Sequence, residues 1–436
     1  MLLHKEKISD CISLSTIKTD KFKSSVISFS LTLPITKESY THNILLSHLL
    51  RRGTSSFPST ALLNKRLDEL YGSYVEVKSH RIGENISLAI NAEILDGKFI
   101  PDNTDILGEI IRIASELILS PAFLLDDFNQ GFFEQEKKLI CEAIDAEINN
   151  TRVYAAKRCV EIIQENTNIP SNKELKSLIS DITLDSLIKY HEYLKSHAPI
   201  SVFYIGSQDS DVIKEKISSE LSTFPCKKAA SIILPRPISR NDTLELSETM
   251  PVTQGKLALG FSTGVVASKS DDSFYVATML NEILGGSASS KLFLNVRERL
   301  SLCYYCSSSY SSHSGIMLIS SGFEFKNYEL ARTAILEQID DIKNGKISDT
   351  EFLAARRAIT SSYRQLYDSP FDMQAFFGDR ALFGITDGIE EAINKILSVT
   401  KSDVIALAKG IRLEASYFID GIDSADTEEL YEETDI

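Results

Sequence analysis

One succession of elements occurs twice along the chain, displaced by about 230 residues, and a repeat of that length restricts the fold to two copies of one domain. In the first copy, 41–52 reads as a buried helix that ends at Gly53-Thr54-Ser55-Ser56. A second helix follows Pro58-Ser59: Ser59 or Thr60 caps it, Leu63, Leu67 and Leu70 line one face, and Gly72 stops it. Strand-like runs at 73–79 and 86–94 are joined through Gly83-Glu84-Asn85, and helices are predicted over 104–119, ending before Pro121, and over 133–165. In the second copy, 270–284 reads as a helix ending at Gly285-Gly286-Ser287, and 289–300 as the next one. A hairpin of 302–310 and 316–323 turns across Ser314-Gly315, and helices cover 326–344 and 349–368. Leu63-Asn64-x-Arg66 in the first copy falls opposite Leu294-Asn295-x-Arg297 in the second.

The fold class this implies is α+β: two homologous domains, each an antiparallel sheet with helices packed on one side, covering 1–230 and 231–436. The join lies within 224–250, where Pro225, Pro235, Pro237 and the polar run 239–243 break the periodicity. The segment 423–436 is acidic with little apolar content and is expected to be mobile. Across the 436 residues, 46 Lys and Arg against 61 Asp and Glu give a net charge of −15, which repels phosphate backbones and argues against a nucleic-acid partner. No apolar run reaches the ~18 residues of a membrane span, and charges interrupt the N-terminus before a signal-peptide core could form. Cysteines at 11, 141, 159, 226, 303 and 306 are too sparse for a disulfide framework, so reduced thiols in a cytoplasm are expected.

Several local patterns invite chemistry and fail its spacing rules. Gly285 to Lys291 lacks the Gly directly before the Lys that a phosphate loop requires, and is read as a helix–helix connector. Cys303-Tyr304-Tyr305-Cys306 is a lone C-x-x-C in a strand, where residues three apart point to opposite faces, so neither a redox nor a zinc role is expected. The histidines form neither H-E-x-x-H nor H-x-x-E-H and are read mostly as surface or capping residues. Glu134, Glu136, Glu142, Asp145 and Glu147 are read as the solvated face of a helix.

The stretch from Leu284 to Tyr304 resembles the C-terminal signature of the insulinase/pitrilysin/mitochondrial-processing-peptidase family, in which a Gly-rich turn leads into a helix ending Leu-Arg-Glu-x-x-Gly-Leu-x-Tyr. The interval from Arg297 to Tyr304 is kept, and Ser301 stands where the usual Gly would be. In the first half, Arg52-Gly53-Thr54 and Gly72 are similar to the family's Lys-Gly-Thr and following turn, and Phe133 to Ile144 resembles the helix that supplies the third zinc ligand. The resemblance covers nearly the whole chain. It implies a two-domain clamshell half around a peptide substrate, with the inverted motif H-x-x-E-H supplying two zinc ligands and a general base.

That motif falls on Ile44, Ser47 and His48, and the third ligand on Ala143, with Glu142 one residue out of phase. One imidazole cannot hold a metal that needs three protein ligands, so no cofactor is expected in this chain and zinc is expected in a partner. Arg297 and Tyr304 correspond to the substrate-side half of the family's site, where the Arg holds substrate backbone and the Tyr hydroxyl donates to the developing oxyanion. The resemblance therefore implies a non-catalytic subunit that serves a homologous zinc-bearing peptidase in a heterodimer. The alternative is an inactive homologue acting as scaffold or peptide-binding module, for instance in a protein-modification pathway such as that of elongation factor P.

Overall fold

A computed structural model describes residues 3–102, 104–164 and 168–421; the acidic segment 423–436 lies outside the described residues. The first half runs β1 (His4–Lys7), β2 (Ile12–Lys18), β3 (Ser24–Pro34), α1 (Lys37–Leu50), α2 (Thr60–Glu69), β4 (Tyr74–Ile82), β5 (Asn85–Leu95), α3 (Ile106–Leu119), α4 (Gln130–Ala146), α5 (Thr151–Ile163), α6 (Asn172–Asp181), α7 (Leu184–His197), β6 (Ile200–Gly206) and α8 (Ser210–Glu220). The second runs β7 (Leu244–Met250), β8 (Gly255–Ser262), α9 (Ser273–Asn281), two π-wound segments (Glu282–Gly286 and Leu292–Arg299), β9 (Cys303–Ser311), β10 (Ile316–Phe323), α10 (Tyr328–Lys343), α11 (Asp349–Gln365), α12 (Pro370–Leu382), α13 (Ile389–Ser398), α14 (Lys401–Gly410) and β11 (Arg412–Gly421).

The duplication is visible strand by strand. The first sheet is ordered β1-β2-β6-β3-β5-β4 and the second β7-β11-β8-β10-β9, so the second repeats the first without its leading edge strand. Directions match as well: β2–β6 and β7–β11 are the parallel pairs, and every other pairing is antiparallel. Even a helix start recurs. Thr183 caps α7 by a reciprocal bond with Ser186, and Thr400 caps α14 in the same way with Asp403. The α+β class with two matching domains therefore stands, with the correction that each sheet carries one parallel pair.

Alternation explains the layering of the first unit. In β3, Ile27, Phe29, Leu31 and Leu33 join the apolar core together with Leu45, Leu46, Leu49 and Leu50 of α1 and Ile110, Ile111 and Leu117 of α3. Burying a Leu side chain of this kind contributes about 1.5–3 kcal/mol. The opposite strand face carries Ser28, Ser30 and Thr32.

The compact units are not contiguous in sequence. One comprises 1–145, 168–234 and 366–388; the other comprises 146–167, 235–365 and 389–436. Each sheet thus receives on its second face a helix from the other half of the chain: α12 goes to the first sheet and α5 to the second. Helices therefore do not lie on one side only. The expected single helix over 133–165 is correspondingly two, because a 3₁₀ turn at Glu147–Asn149 interrupts it. Asn150 then starts α5 afresh, its side chain accepting from the Val153 amide at 3.3 Å.

The cysteines also depart from expectation. Cys11, just before β2, and Cys226, beyond α8, form a disulfide with Cα atoms 6.1 Å apart, while Cys141, Cys159, Cys303 and Cys306 are free. Pairing across 215 residues leaves no trace in local spacing. His191 likewise is not a surface residue. It is 1% exposed and packs edge-on to Phe123, with Nε2 2.7 Å from the Ile118 carbonyl oxygen.

Candidate functional site

The first candidate site is the stretch of α1 on which the family's metal motif is expected to fall. Thr36 and Ser39 form a capping box that starts this helix, and its apolar residues Leu45, Leu46, Leu49 and Leu50 are fully buried. Its end is fixed by Gly53, whose φ is +140° and where a Cβ would lie 2.2 Å from the Phe57 carbonyl oxygen. Thr54 then closes the turn, its amide donating to Phe57 O at 2.9 Å and its hydroxyl accepting from Phe57 N at 3.1 Å. This turn places Arg52 one helical turn beyond His48.

Ile44, Ser47 and His48 lie on α1 at i, i+3 and i+4, the spacing of one helix face. Ile44 packs against the core, and the Ser47 hydroxyl donates back to the Ile44 carbonyl at 2.7 Å, which occupies its proton within the helix. His48 Nδ1 lies 3.0 Å from Oε2 of Glu136 on α4. Arg52 Nε donates to the other oxygen, Oε1, at 2.7 Å, and its guanidinium also reaches Gln135 Oε1 at 3.2 Å and stacks 4.7 Å from the Phe132 ring centre. Glu136 is 7% exposed, so it is not part of the solvated acidic face expected for this helix. A buried carboxylate needs compensating charge, and a permanently charged guanidinium provides it.

Ala143 is exposed and lies on α4 seven residues after Glu136, which is about 10 Å and two turns along the same face. Glu142 is exposed and pairs with Lys138 at 3.6 Å. No set of three or more His, Cys, Asp or Glu positioned for a metal occurs among the described residues. The donors do not fit zinc: His48 is committed to Glu136, and Ile44 and Ala143 have no lone pair to give.

The second candidate site is on the second unit. Arg297 lies in the π-wound segment Leu292–Arg299, its guanidinium 4.6 Å from the Phe293 ring centre. Its one ion pair among the described residues is a 3.7 Å contact with the neighbouring Glu298, and the side chain is 39% exposed. Such a contact constrains the guanidinium little. Ser301, on the way to Tyr304, has φ +50°, a left-handed conformation that accounts for glycine at this point of the signature.

Tyr304 is set by an irregularity of β9, the edge strand. Tyr305 pairs with Gly322 but the next pair is Cys303 with Phe323, so Tyr304 is an extra residue with no partner across the ladder. A bulge of this kind adds one residue and re-aims a side chain. Tyr304 is turned outward and is 52% exposed, near Glu324, whose carboxylate is held low chiefly by Lys326. The extra residue also brings Cys303 and Cys306 to the same, buried face, correcting the expectation that they point apart. Ser321 donates to Cys303 Sγ at 3.1 Å, and the neighbouring Cys303 and burial hold the Cys306 thiol well above its ordinary range. The bulge had no sequence signal.

The family pattern described as "Peptidase M16 inactive domain" matches residues 181–359. The chain is 30% identical over 411 residues to the "Probable inactive metalloprotease YmfF" of Bacillus subtilis, covering 94% of this chain and 96% of that one. Among solved structures, a conserved protein from Enterococcus faecalis superposes with a TM-score of 0.87 at 23% identity, covering 97% of this chain and 99% of that one. The peptidase M16 inactive domain from Pseudomonas fluorescens superposes at 0.78 with 13% identity, covering 97% and 99%.

Proposed function

The chain belongs to the M16 family of insulinase-type metallopeptidases as an inactive homologue, and we propose that it works as the non-catalytic subunit of a heterodimeric peptidase. In this reading a homologous chain with an intact H-x-x-E-H motif holds the zinc and activates water, and this chain contributes Arg297 and Tyr304 in trans. The observation that carries it is Tyr304: a bulge turns its phenol out of the sheet, half exposed, where no packing role requires a hydroxyl. A phenol O–H aimed at a peptide carbonyl stabilises the oxyanion of the tetrahedral intermediate, and a loosely held guanidinium such as Arg297 anchors substrate backbone. The edge strand β9 offers its unpaired backbone to an extended peptide.

The chain alone is expected to cleave no peptide and to hold no stoichiometric zinc; about one tightly bound zinc at His48 would overturn the reading. The mixed pair is expected to hydrolyse peptides. Tyr304→Phe should then lower turnover roughly 100- to 1000-fold while association is unchanged. Arg297→Ala should cost activity with a larger share in KM. Full turnover by the Tyr304→Phe pair would leave a scaffold or peptide-binding module as the function. One observation favours that second reading: Arg52 and His48 lock Glu136 into a structural cluster between α1 and α4.

A further inference from the structure

The two exchanged helices do not pack alike. On the second sheet, α5 sits tightly: Ile162, Ile163, Cys159 and Ala155 fill the space against Ala258, Ala415, Tyr417 and Ile419. Gly260 has no room for a side chain there, since a Cβ would lie 2.3 Å from Ile163 Cδ1. On the first sheet, α12 is anchored by Phe377 stacking on Phe203, with ring centres 6.3 Å apart, and by Gln374 Nε2 donating to Asn91 Oδ1 at 3.0 Å. Between them lies a cavity of about 760 Å³. Interiors normally close such gaps, and 300–1,000 Å³ is the range of small-ligand sites.

The floor is made of side chains too small and too polar to fill the space. Ser13, Ser15, Ser28, Ser30, Thr32 and Ser201 line it where strands elsewhere in this sheet carry Ile, Phe and Leu. Lining residues come from all six strands, and six strands about 4.8 Å apart span roughly 24 Å, the length of about seven extended residues. Hydroxyls both donate and accept, so a row of them matches the alternating N–H and C=O of a peptide backbone. The α12 side presents Phe371, Ala375, Ala381 and Leu382 alongside the polar Asp372, Gln374 and Asp379.

The charges are unequal at the two ends. At the β4 end, Lys78 lies 3.6 Å from Glu76, and Asp379 faces His80, whose Nδ1 is buried with no hydrogen-bond partner. At the β1 end, Lys5, Glu6 and Lys7 all line the cavity, and the Glu6 carboxylate is engaged by Ser210 and Lys214. Burial alone pulls Lys5 below its ordinary range; no carboxylate offsets it. Asp372 also lines the cavity from α12 but forms no ion pair with either lysine among the described residues.

We propose that this cavity is a binding site for a short extended peptide whose carboxylate-bearing end lies at Lys5 and Lys7 and whose apolar side chains face α12. The site lies wholly within the first unit and involves neither Arg297 nor Tyr304, so it stands or falls apart from the peptidase reading.

The test uses the intact chain and two fluorescein-labelled hexapeptide pools, one mixing Asp and Glu with Ala, Ser, Leu and Phe, the other replacing the acids by Asn and Gln. Fluorescence anisotropy should show saturable binding of the acidic pool and at least about tenfold weaker binding of the amide pool, as loss of a charged hydrogen-bond partner implies. Amidated C-termini within the acidic pool separate recognition of side-chain carboxylates from recognition of the chain end. Lys5→Gln/Lys7→Gln should erase the difference between pools without changing the melting temperature. Ser30→Leu, which places a large side chain mid-floor opposite Ala89 and Ser201, should block binding of both. Absence of binding to either pool, equal binding of the two, or binding unaffected by Ser30→Leu would overturn the proposal.

Discussion

Glu136→Ala is the most direct probe of the charge cluster that joins α1 to α4. The carboxylate is 7% exposed and is held from one side by the Arg52 guanidinium and from the other by His48 Nδ1. Removing one member of a buried charged pair leaves the other desolvated and typically costs about 3–5 kcal/mol. The Arg52 and His48 side chains are 22% and 33% exposed, so water recovers part of that loss. About 2–3 kcal/mol remains, which for a unit of this size lowers the melting temperature by roughly 5–10 °C. Calorimetry of the first unit's transition measures it. Replacing the whole cluster, His48→Leu/Arg52→Met/Glu136→Leu, removes every charge and should recover most of the loss. Treatment with EDTA should leave the parent protein's transition where it is. A Glu136→Ala transition within about 1 °C of the parent, or a triple variant no better than the single one, would refute the electrostatic account.

Ser301→Gly should stabilise the second unit by about 0.5–1 kcal/mol, because relief of the +50° φ exceeds the entropy that glycine gains when unfolded; an unchanged or lowered urea midpoint refutes this. His191 makes stability pH-dependent. Burial first, then the Lys195 charge, pushes its pKa down to about 4, so between about 6.5 and 4 the unfolded chain binds a proton that the folded chain refuses. Stability contributed by the neutral imidazole is thus complete above pH 6.5 and is lost as pH falls, by up to roughly 3 kcal/mol at pH 4. His191→Gln should show a shallower fall of the urea midpoint over that window than the parent, and parallel curves would refute the assignment.

Periodicity made the strands and most helices legible. Apolar residues alternate cleanly in β3 and β5, and the predicted hairpin of 302–310 and 316–323 is β9 and β10 to within a residue. The strand order repeats because the sequence does. The break between α4 and α5 had a readable sign in Asn149-Asn150, since Asn150 is a good cap, but continuous helical patterning on both sides masked it. The exchange of α5 and α12 had no sign at all, because an amphipathic helix does not encode which sheet it will cover. Glu136 was invisible for a related reason: its spacing is that of a solvated helix face, and only the approach of α1 reveals its partners. The C-x-x-C misreading came from assuming a regular two-residue period through a strand that inserts one residue.

These failures separate what the signature from Leu284 to Tyr304 needs for folding from what it holds for chemistry. Gly285 is required by packing, since a Cβ there would lie 2.6 Å from the Ser308 amide nitrogen of β9. The residue at 301 must adopt a left-handed conformation, and serine does so at a cost. Leu292 and Val296 are buried, as are Cys303 and Cys306. Each of these would persist in a pure scaffold. Tyr304 is different: the bulge lifts it out of the ladder, its ring is half exposed, and its hydroxyl lies near the half-exposed Glu324. Folding asks for some residue at that bulge but not for a phenol, just as it asks for some residue at 143 and accepts alanine. Under the proposed reading it is this outward phenol, held without a packing duty, that carries the substrate half of the chemistry, while the Glu136 cluster carries none of it.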